Sequence, residues 1–125
     1  MAYLTKITNL GFAAIVDLIA AGSACYVGWG TGVTEADPVQ TDLVNASNEA
    51  RVVGTESQPA ADTQQWVATV TAAGNQTVTE VGLFDGAGAG TPPSGGVMWL
   101  RKNLAAVVLL TGDSIAWTIT IQATQ

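Results

Sequence analysis

The residues of this chain that could perform acid–base chemistry are its carboxylates, and two of them, Glu80 and Asp85, bracket one predicted strand. Alternate residues of a strand face opposite sides of the sheet, and these two positions differ in parity. The carboxylates of a glycosidase must flank one scissile bond, so this pair is poorly placed for that reaction. Glu80 is instead expected to be a structural acid, bonded to the backbone or to Arg101.

Other residue types that support catalysis are missing from the sequence. It contains no histidine, which removes the usual base near neutral pH and the commonest zinc ligand. Its single cysteine, Cys25, cannot form a disulfide within the chain and fits synthesis in a reducing cytosol. Neither the glycine spacing of a dinucleotide site nor that of a calcium loop is present. We therefore predict no enzyme activity, no bound metal and no cofactor.

The composition predicts a single domain, 1–125, with an unusually neutral surface. Hydrophobic residues make up 48% of the 125 residues and charged residues 11%, against roughly 25% charged residues in ordinary soluble domains. So few charges imply that much of the surface is neutral or is covered by a partner, which favours a protein that lives in an assembly. The net charge of −6 argues against nucleic acid and anionic membranes as partners.

The segment 7–21 has helical length and composition and predicts a helix over about residues 8–21. Thr8 or Asn9 can cap its start. The apolar residues of this helix form one face with Phe12, Ile15 and Ile19, and a second face with Leu10, Ala14 and Leu18. Such an apolar helix is expected to be buried against a sheet or against another subunit.

Polar residues interrupt the apolar run of this helix. Asn9 and Asp17 break it, and a membrane span would need about 20 continuous apolar residues. A cleaved signal peptide likewise requires an uninterrupted apolar stretch. We therefore expect neither a membrane span nor a signal peptide.

The rest of the chain is predicted to form strands, two of which show strict alternation. In the clearest case one parity is apolar and the other polar; the apolar members are Ile115, Trp117, Ile119 and Ile121. Residues 63–72 alternate in the same way, with Trp66, Ala68 and Val70 on one face. Other strands are predicted at 23–28, 48–54, 76–84, 97–102 and 104–110, with loops at 55–62 and 85–96. Turns at 73–75 and 111–114 are expected to close two hairpins.

Seven or so short strands between residues 23 and 124, after one N-terminal helix, predict a mainly β fold. The expected architecture is an antiparallel β-sandwich of jelly-roll-like type. The run 104–110 is apolar on both parities, so it should be covered by the core and also by something else, such as a second subunit. The candidate interface residues are Phe12, Ile15, Ile19, Leu104, Val107 and Leu109.

Tryptophans offer an alternative kind of site, because exposed indoles side by side form platforms for sugar rings. Trp66 and Trp117 lie on strand faces that are predicted to be core. Trp29 and Trp99 remain as a candidate ligand platform, although large aromatic residues of a sandwich are more often core.

Four motifs in order along the chain resemble a family of small virion proteins of tailed bacteriophages. They are Thr8-Asn9-Leu10-Gly11, Tyr26-Val27-Gly28-Trp29-Gly30-Thr31-Gly32, Thr79-Glu80-Val81-Gly82-Leu83-Phe84-Asp85 and Gly112-Asp113-Ser114. Members of this family include capsid decoration (cement) proteins and domains of tail-fibre or tail-collar proteins. The sequence has neither a long fibrous repeat nor a heptad run that would form a fibre shaft, which favours the capsid.

The resemblance implies a homotrimer seated on the outer capsid surface of the virion, made in the host cytoplasm, with the major capsid protein as its partner. It also implies a passive mechanism, in which buried apolar contacts stabilise the shell. The alternative that the resemblance leaves open is a tail-fibre or baseplate-associated domain that binds host glycans.

Overall fold

A computed structural model describes residues 8–22 and 24–123, and in them the chain forms one helix and seven strands. The bounds of these elements are α1 Asn9–Gly22, β1 Tyr26–Gly30, β2 Val52–Val53, β3 Thr55–Ala60, β4 Thr63–Thr71, β5 Gln76–Phe84, β6 Met98–Leu109 and β7 Ser114–Gln122. The strands build two antiparallel sheets with the orders β2-β1-β5-β6 and β3-β4-β7. The prediction of a mainly β, sandwich-like fold with one N-terminal helix is confirmed.

Both connections that were predicted to close hairpins carry the chain from one sheet to the other. Strand β4 and strand β5 lie in different sheets, and so do β6 and β7. The two crossings lie side by side, since the backbone N–H of Ala72 donates to the carbonyl of Asp113 (2.8 Å) and that of Gly112 donates to the carbonyl of Ala72 (2.8 Å). Both hairpin predictions are therefore wrong. Alternation reveals the buried face of a strand, but it does not identify the strand beside it.

The main core lies between the two sheets and follows the predicted parity. Trp66, Ala68 and Val70 of β4 are buried, as the alternation of that strand predicted. On β7, Ile119 is buried and the other apolar residues of the same parity pack against the core: Ile115, Trp117 and Ile121. Each fully buried large side chain contributes roughly 1.5–3 kcal/mol. The strand predictions with the clearest alternation are thus correct.

Helix α1 begins where the sequence predicted. The backbone N–H of Gly11 donates to the Thr8 hydroxyl (3.1 Å), so Thr8 is the capping residue. Val16 is fully buried and Ile19 packs against the core, while the helix as a whole contacts β4. Within the described residues no helix has the length and apolar character needed to cross a membrane.

Strand β3 occupies a segment that was predicted to be a loop. Its sequence, TESQPA, has little strand propensity and all six residues are exposed. Thr55, Glu56 and Ser57 nevertheless pair with Val67, Trp66 and Gln65 of β4, so that backbone hydrogen bonding outweighs the local preference. The predicted strands 97–102 and 104–110 are joined in the single strand β6, and only Val52–Val53 of the predicted strand 48–54 forms β2.

Candidate functional site

The Glu80 carboxylate lies buried beneath the long loop that follows β1. Its Oε1 accepts hydrogen bonds from the backbone N–H groups of Gly32 (3.0 Å) and Asn45 (2.8 Å), and its Oε2 accepts one from Val44 (3.0 Å). The Arg101 Nε donates to Oε2 at 2.7 Å and forms a buried ion pair. The predicted bonds of Glu80 to the backbone and to Arg101 are confirmed, and they fasten the loop to the sheet.

Electrostatics keep this carboxylate charged. Burial alone would raise the pKa of Glu80, but the hydrogen bonds from Asn45, Val44, Arg101 and Gly32 outweigh it and lower the pKa below its ordinary value. A carboxylate in this state is a poor general acid at neutral pH. We assign Glu80 a structural role in holding the loop.

Two glycines make room for this arrangement. A Cβ atom on Gly30 would lie 2.5 Å from both the Asn45 carbonyl oxygen and Glu80 Oε1, and one on Gly32 would lie 2.6 Å from Glu80 Oε1. Neither glycine has a positive φ. These glycines are therefore needed for the close approach of the carboxylate and the loop, not for a left-handed turn.

Arg51 lies against the same sheet and also holds loops in place. Its guanidinium lies 3.5 Å from the centre of the Phe84 ring. Nη1 donates to the carbonyls of Gly86 (3.2 Å) and Gly95 (2.8 Å), and Nη2 pairs with Asp42 (3.3 Å). Arg51 thus ties the glycine-rich loop after β5 and the loop after β1 to one another.

Two further carboxylates near the sheets, Glu49 and Asp85, also accept structural hydrogen bonds. Glu49 accepts hydrogen bonds from the Trp29 indole N–H (3.1 Å), the backbone N–H of Ala73 (2.9 Å) and the Gln76 amide. Burial would raise its pKa, but these bonds lower it overall. Asp85 accepts from the backbone N–H of Val97 (2.7 Å). Residues 8–22 and 24–123 contain no group of three His, Cys, Asp or Glu that could hold a metal ion.

The two tryptophans of the candidate ligand platform occupy different environments. Trp29 is 2% exposed and packs edge-on against Trp117, with ring centres 6.2 Å apart. It presents no face to solvent, so a platform of Trp29 and Trp99 does not form. Trp99 is exposed and lines a cleft of about 270 Å³ together with Pro38, Gln40 and Arg101.

Cys25 is poorly placed to act as a nucleophile. It is buried at the start of the first sheet, 1% exposed. Desolvation raises the pKa of its thiol to about 11, and the charges of Glu56 and Asp85 add to the effect. The nucleophilic thiolate is therefore scarce at neutral pH.

The sandwich is open along the side where β6 and β7 lie. Each is the last strand of its sheet, and residues of both line a groove of about 440 Å³. The groove exposes parts of core side chains, among them Leu100, Leu104 and Trp117, and Lys102 lies at its wall. We call this surface the open side.

The candidate interface residues on β6 divide between core and surface. Leu109 is buried and Leu104 packs against the core, so both belong to the interior of the single chain. Val107 is exposed, and the structure adds Val108 and Leu110, which are 74% and 60% exposed. One face of the run 104–110 therefore lies open in the single chain, and its cover by a second subunit stays a prediction.

The candidate interface residues on α1 divide in the same manner. Phe12 and Ile19 are partly buried, whereas Ile15 is exposed. The most exposed residues, Leu10 (84%) and Leu18 (71%), come from the second helical face and were not among the predicted interface residues. The spacing of Leu10, Ala14 and Leu18 could have indicated this exposed surface, since residues four apart lie on one face of a helix. We call Leu10, Ala14 and Leu18 the helix stripe.

The helix stripe and the open side are formed by different elements of the domain. Asp17 of α1 accepts a hydrogen bond from Gln58 of β3 (2.6 Å). In the sheet order β3-β4-β7, β3 and β7 flank β4 from opposite sides. The helix thus contacts β4 and also bonds to β3, whereas the open side lies by β7.

Comparison of the chain with models of known protein families gave no match, and comparison with curated proteins also gave none.

Proposed function

We propose that this protein is a bacteriophage capsid decoration protein, which binds the outer capsid surface of the virion as an oligomer and stabilises the shell. The observation that carries the proposal is the presence of two separate exposed apolar surfaces on one small domain, the helix stripe and the open side. A domain with two such surfaces can join one neighbour to another. The sequence motifs that resemble small phage virion proteins supply the identity of those neighbours: further copies of this chain and the major capsid protein.

The mechanism that follows is passive. Leu10, Leu18 and Val108 are each largely exposed in the single chain. Covering a large apolar side chain contributes roughly 1.5–3 kcal/mol, so a few of them are enough for a modest contact. An oligomer that makes several modest contacts at once binds far more tightly than one subunit does. Glu80 and Arg51 hold the loops after β1 and β5 against the sheet. Because these loops are already ordered, less conformational entropy is lost on binding.

Capsid shells that lack the protein provide the test. We expect the purified protein to co-sediment with such shells to a saturating ratio and to raise the temperature at which they open. Absence of binding at micromolar protein would rule out the decoration role.

Matched variants distinguish a specific contact of the helix stripe with the shell from non-specific adsorption. Leu18→Glu changes the helix stripe at an exposed position, and Val39→Glu introduces the same change at a residue that is 83% exposed in the loop after β1. We expect the first variant to weaken co-sedimentation at least tenfold and the second to bind as the original protein does. Equal binding by both variants would remove the helix stripe from the contact.

The alternative function, a tail-fibre or baseplate-associated domain that binds glycans, is favoured by one observation. The exposed Trp99 ring borders the cleft with Pro38, Gln40 and Arg101, which supplies an apolar face beside polar groups. A glycan array provides the test for this candidate. Specific binding that disappears in Trp99→Ala would support it, and an array without hits would exclude it.

A further inference from the structure

Strand edges that remain unpaired are usually protected in natural proteins, by shortness, charge, proline or bulges. The edge strands of this domain differ in that protection. β2 has two residues, and β3 carries Glu56, Pro59 and a shift of register against β4. β6 carries Arg101 and Lys102 and shifts register twice against β5.

Strand β7 has none of these protections. It is nine residues long and contains neither a charged residue nor proline. It pairs with β4 without any shift, from Thr63 opposite Gln122 to Thr71 opposite Ser114. Its other edge pairs with no strand of residues 8–22 and 24–123. A straight, neutral and unprotected edge of this length is suited to accept another strand.

The sequence of β7 is complementary to itself when it is reversed about Thr118. In an antiparallel pair centred there, Thr118 faces its own copy, Ala116 faces Thr120 and Ser114 faces Gln122. On the other face Trp117 meets Ile119, and Ile115 meets Ile121. Every pair joins small or polar residues on the solvent face and apolar residues on the core face, and no pair brings like charges together. A two-fold contact requires this kind of complementarity.

We propose that β7 pairs with β7 of a second copy of this chain, antiparallel and about a two-fold axis at Thr118. The two three-stranded sheets then become one six-stranded sheet, β3-β4-β7-β7-β4-β3. The contact also lies beside the open groove between β6 and β7 and reduces its exposure. The inference rests on β7 alone and stands whether or not the assembly binds a capsid; it assigns a pair, where the resemblance implied three copies.

The first test is the mass of the purified protein in solution, by sedimentation over a range of concentrations. We expect a dimer, and we expect Thr118→Lys to weaken it about fivefold because two ammonium groups would meet at the axis. Thr69→Lys is the matched control, since Thr69 is also exposed but lies on β4 in the middle of the same sheet. At concentrations low enough for the original chain to be monomeric, the thermal midpoints of both variants should stay close to that of the original chain.

Three results would overturn the proposal. They are a monomer at all concentrations, an assembly of three copies, and a dimer that Thr118→Lys leaves intact. Loss of the dimer with retained co-sedimentation on shells would separate this contact from the decoration role.

The second test fixes the register by oxidation. In an antiparallel pair, facing residues have Cα atoms about 4.5–5.5 Å apart, within the range of a disulfide. Thr118→Cys should therefore form a disulfide-linked dimer under mild oxidation, while Thr69→Cys should not. Cys25 is buried and should not interfere. Failure of Thr118→Cys to link, or equal linking by Thr69→Cys, would refute the two-fold register.

Discussion

Replacing Glu80 by glutamine is the sharpest perturbation of the fold, because it keeps the shape of the side chain and removes its charge. If the amide oxygen keeps the hydrogen bonds from Gly32 and Asn45, the amide NH2 takes the place of Oε2. It then faces the backbone N–H of Val44 and the Nε–H of Arg101, so donors meet donors. The opposite orientation places the NH2 against Gly32 and Asn45 and is no better.

The size of the effect follows from the burial of Arg101. Its side chain is 2% exposed, so loss of the Glu80 charge leaves a buried cation without its counter-ion. Breaking one partner of such a pair costs about 3–5 kcal/mol. The whole free energy of unfolding of a domain is roughly 5–15 kcal/mol, so Glu80→Gln should remove a large part of it. The midpoint of thermal unfolding should fall by roughly 10–20 °C.

Urea denaturation followed by tryptophan fluorescence measures this loss. The matched control is Glu35→Gln, which makes the same chemical change at an exposed position of the loop that Glu80 holds, and which should change stability by less than about 0.5 kcal/mol. A Glu80→Gln variant that loses less than about 1 kcal/mol, or no more than the control, would refute the assignment of Glu80 as the fastener of the loop.

The remaining predictions concern the effects of low pH, of added side-chain volume and of core truncation on stability. The pKa of Glu80 is lower in the folded state than in the unfolded chain, where it is near 4.3. The stabilisation that the Glu80 charge gives the fold is therefore complete above about pH 4.3 and is lost as the pH falls through the folded pKa. Acid below about pH 4 should destabilise the original chain more than it destabilises Glu80→Gln, and equal acid sensitivity would contradict this. Gly30→Ala should cost about 1–3 kcal/mol in urea denaturation because its Cβ meets Asn45 and Glu80, whereas Gly74→Ala, with open space around it, should cost nothing. Leu109→Ala should cost about 2–5 kcal/mol and Val108→Ala less than about 0.5, and equal costs would contradict their burial.

Those features that depend on the alternation within one strand could be predicted from the sequence. The buried parity of β4 and β7 is of this kind, because a half-buried strand repeats every two residues. The bonding of Glu80 was also predictable, since an acid within an apolar strand needs a partner and Arg101 stood on a neighbouring predicted strand.

Pairing between distant segments could not be predicted in this way. The turns at 73–75 and 111–114 have hairpin chemistry, yet each joins two sheets, and only tertiary packing decides between these outcomes. Strand β3 forms despite its sequence because β4 supplies hydrogen bonds to it. A side chain at Gly30 or Gly32 would collide with the Glu80 carboxylate, and Glu80 lies 48 positions from Gly32 in sequence.

The predictions of site residues were also limited, because burial of a side chain depends on contacts between distant segments. Trp29 sits on a strand with glycines on both sides, and nothing local shows that its indole is turned inward to Glu49. Leu109 and Val108 are neighbours in one apolar run and face opposite sides of β6, so Leu109 is buried in the core while Val108 lies on the uncovered face. An apolar run on both parities therefore predicts a covered strand, but not how much of the cover comes from the same chain.

Hydrogen–deuterium exchange on the protein, free in solution and bound to capsid shells, tests most directly whether neighbours cover the surfaces identified above. We expect the β7 amides that point away from β4 and the amides of the first turn of α1 to exchange rapidly in the free chain at low concentration and to become protected on the shell. Protection confined to other segments, with β7 and α1 exchanging equally in both states, would contradict the proposed role.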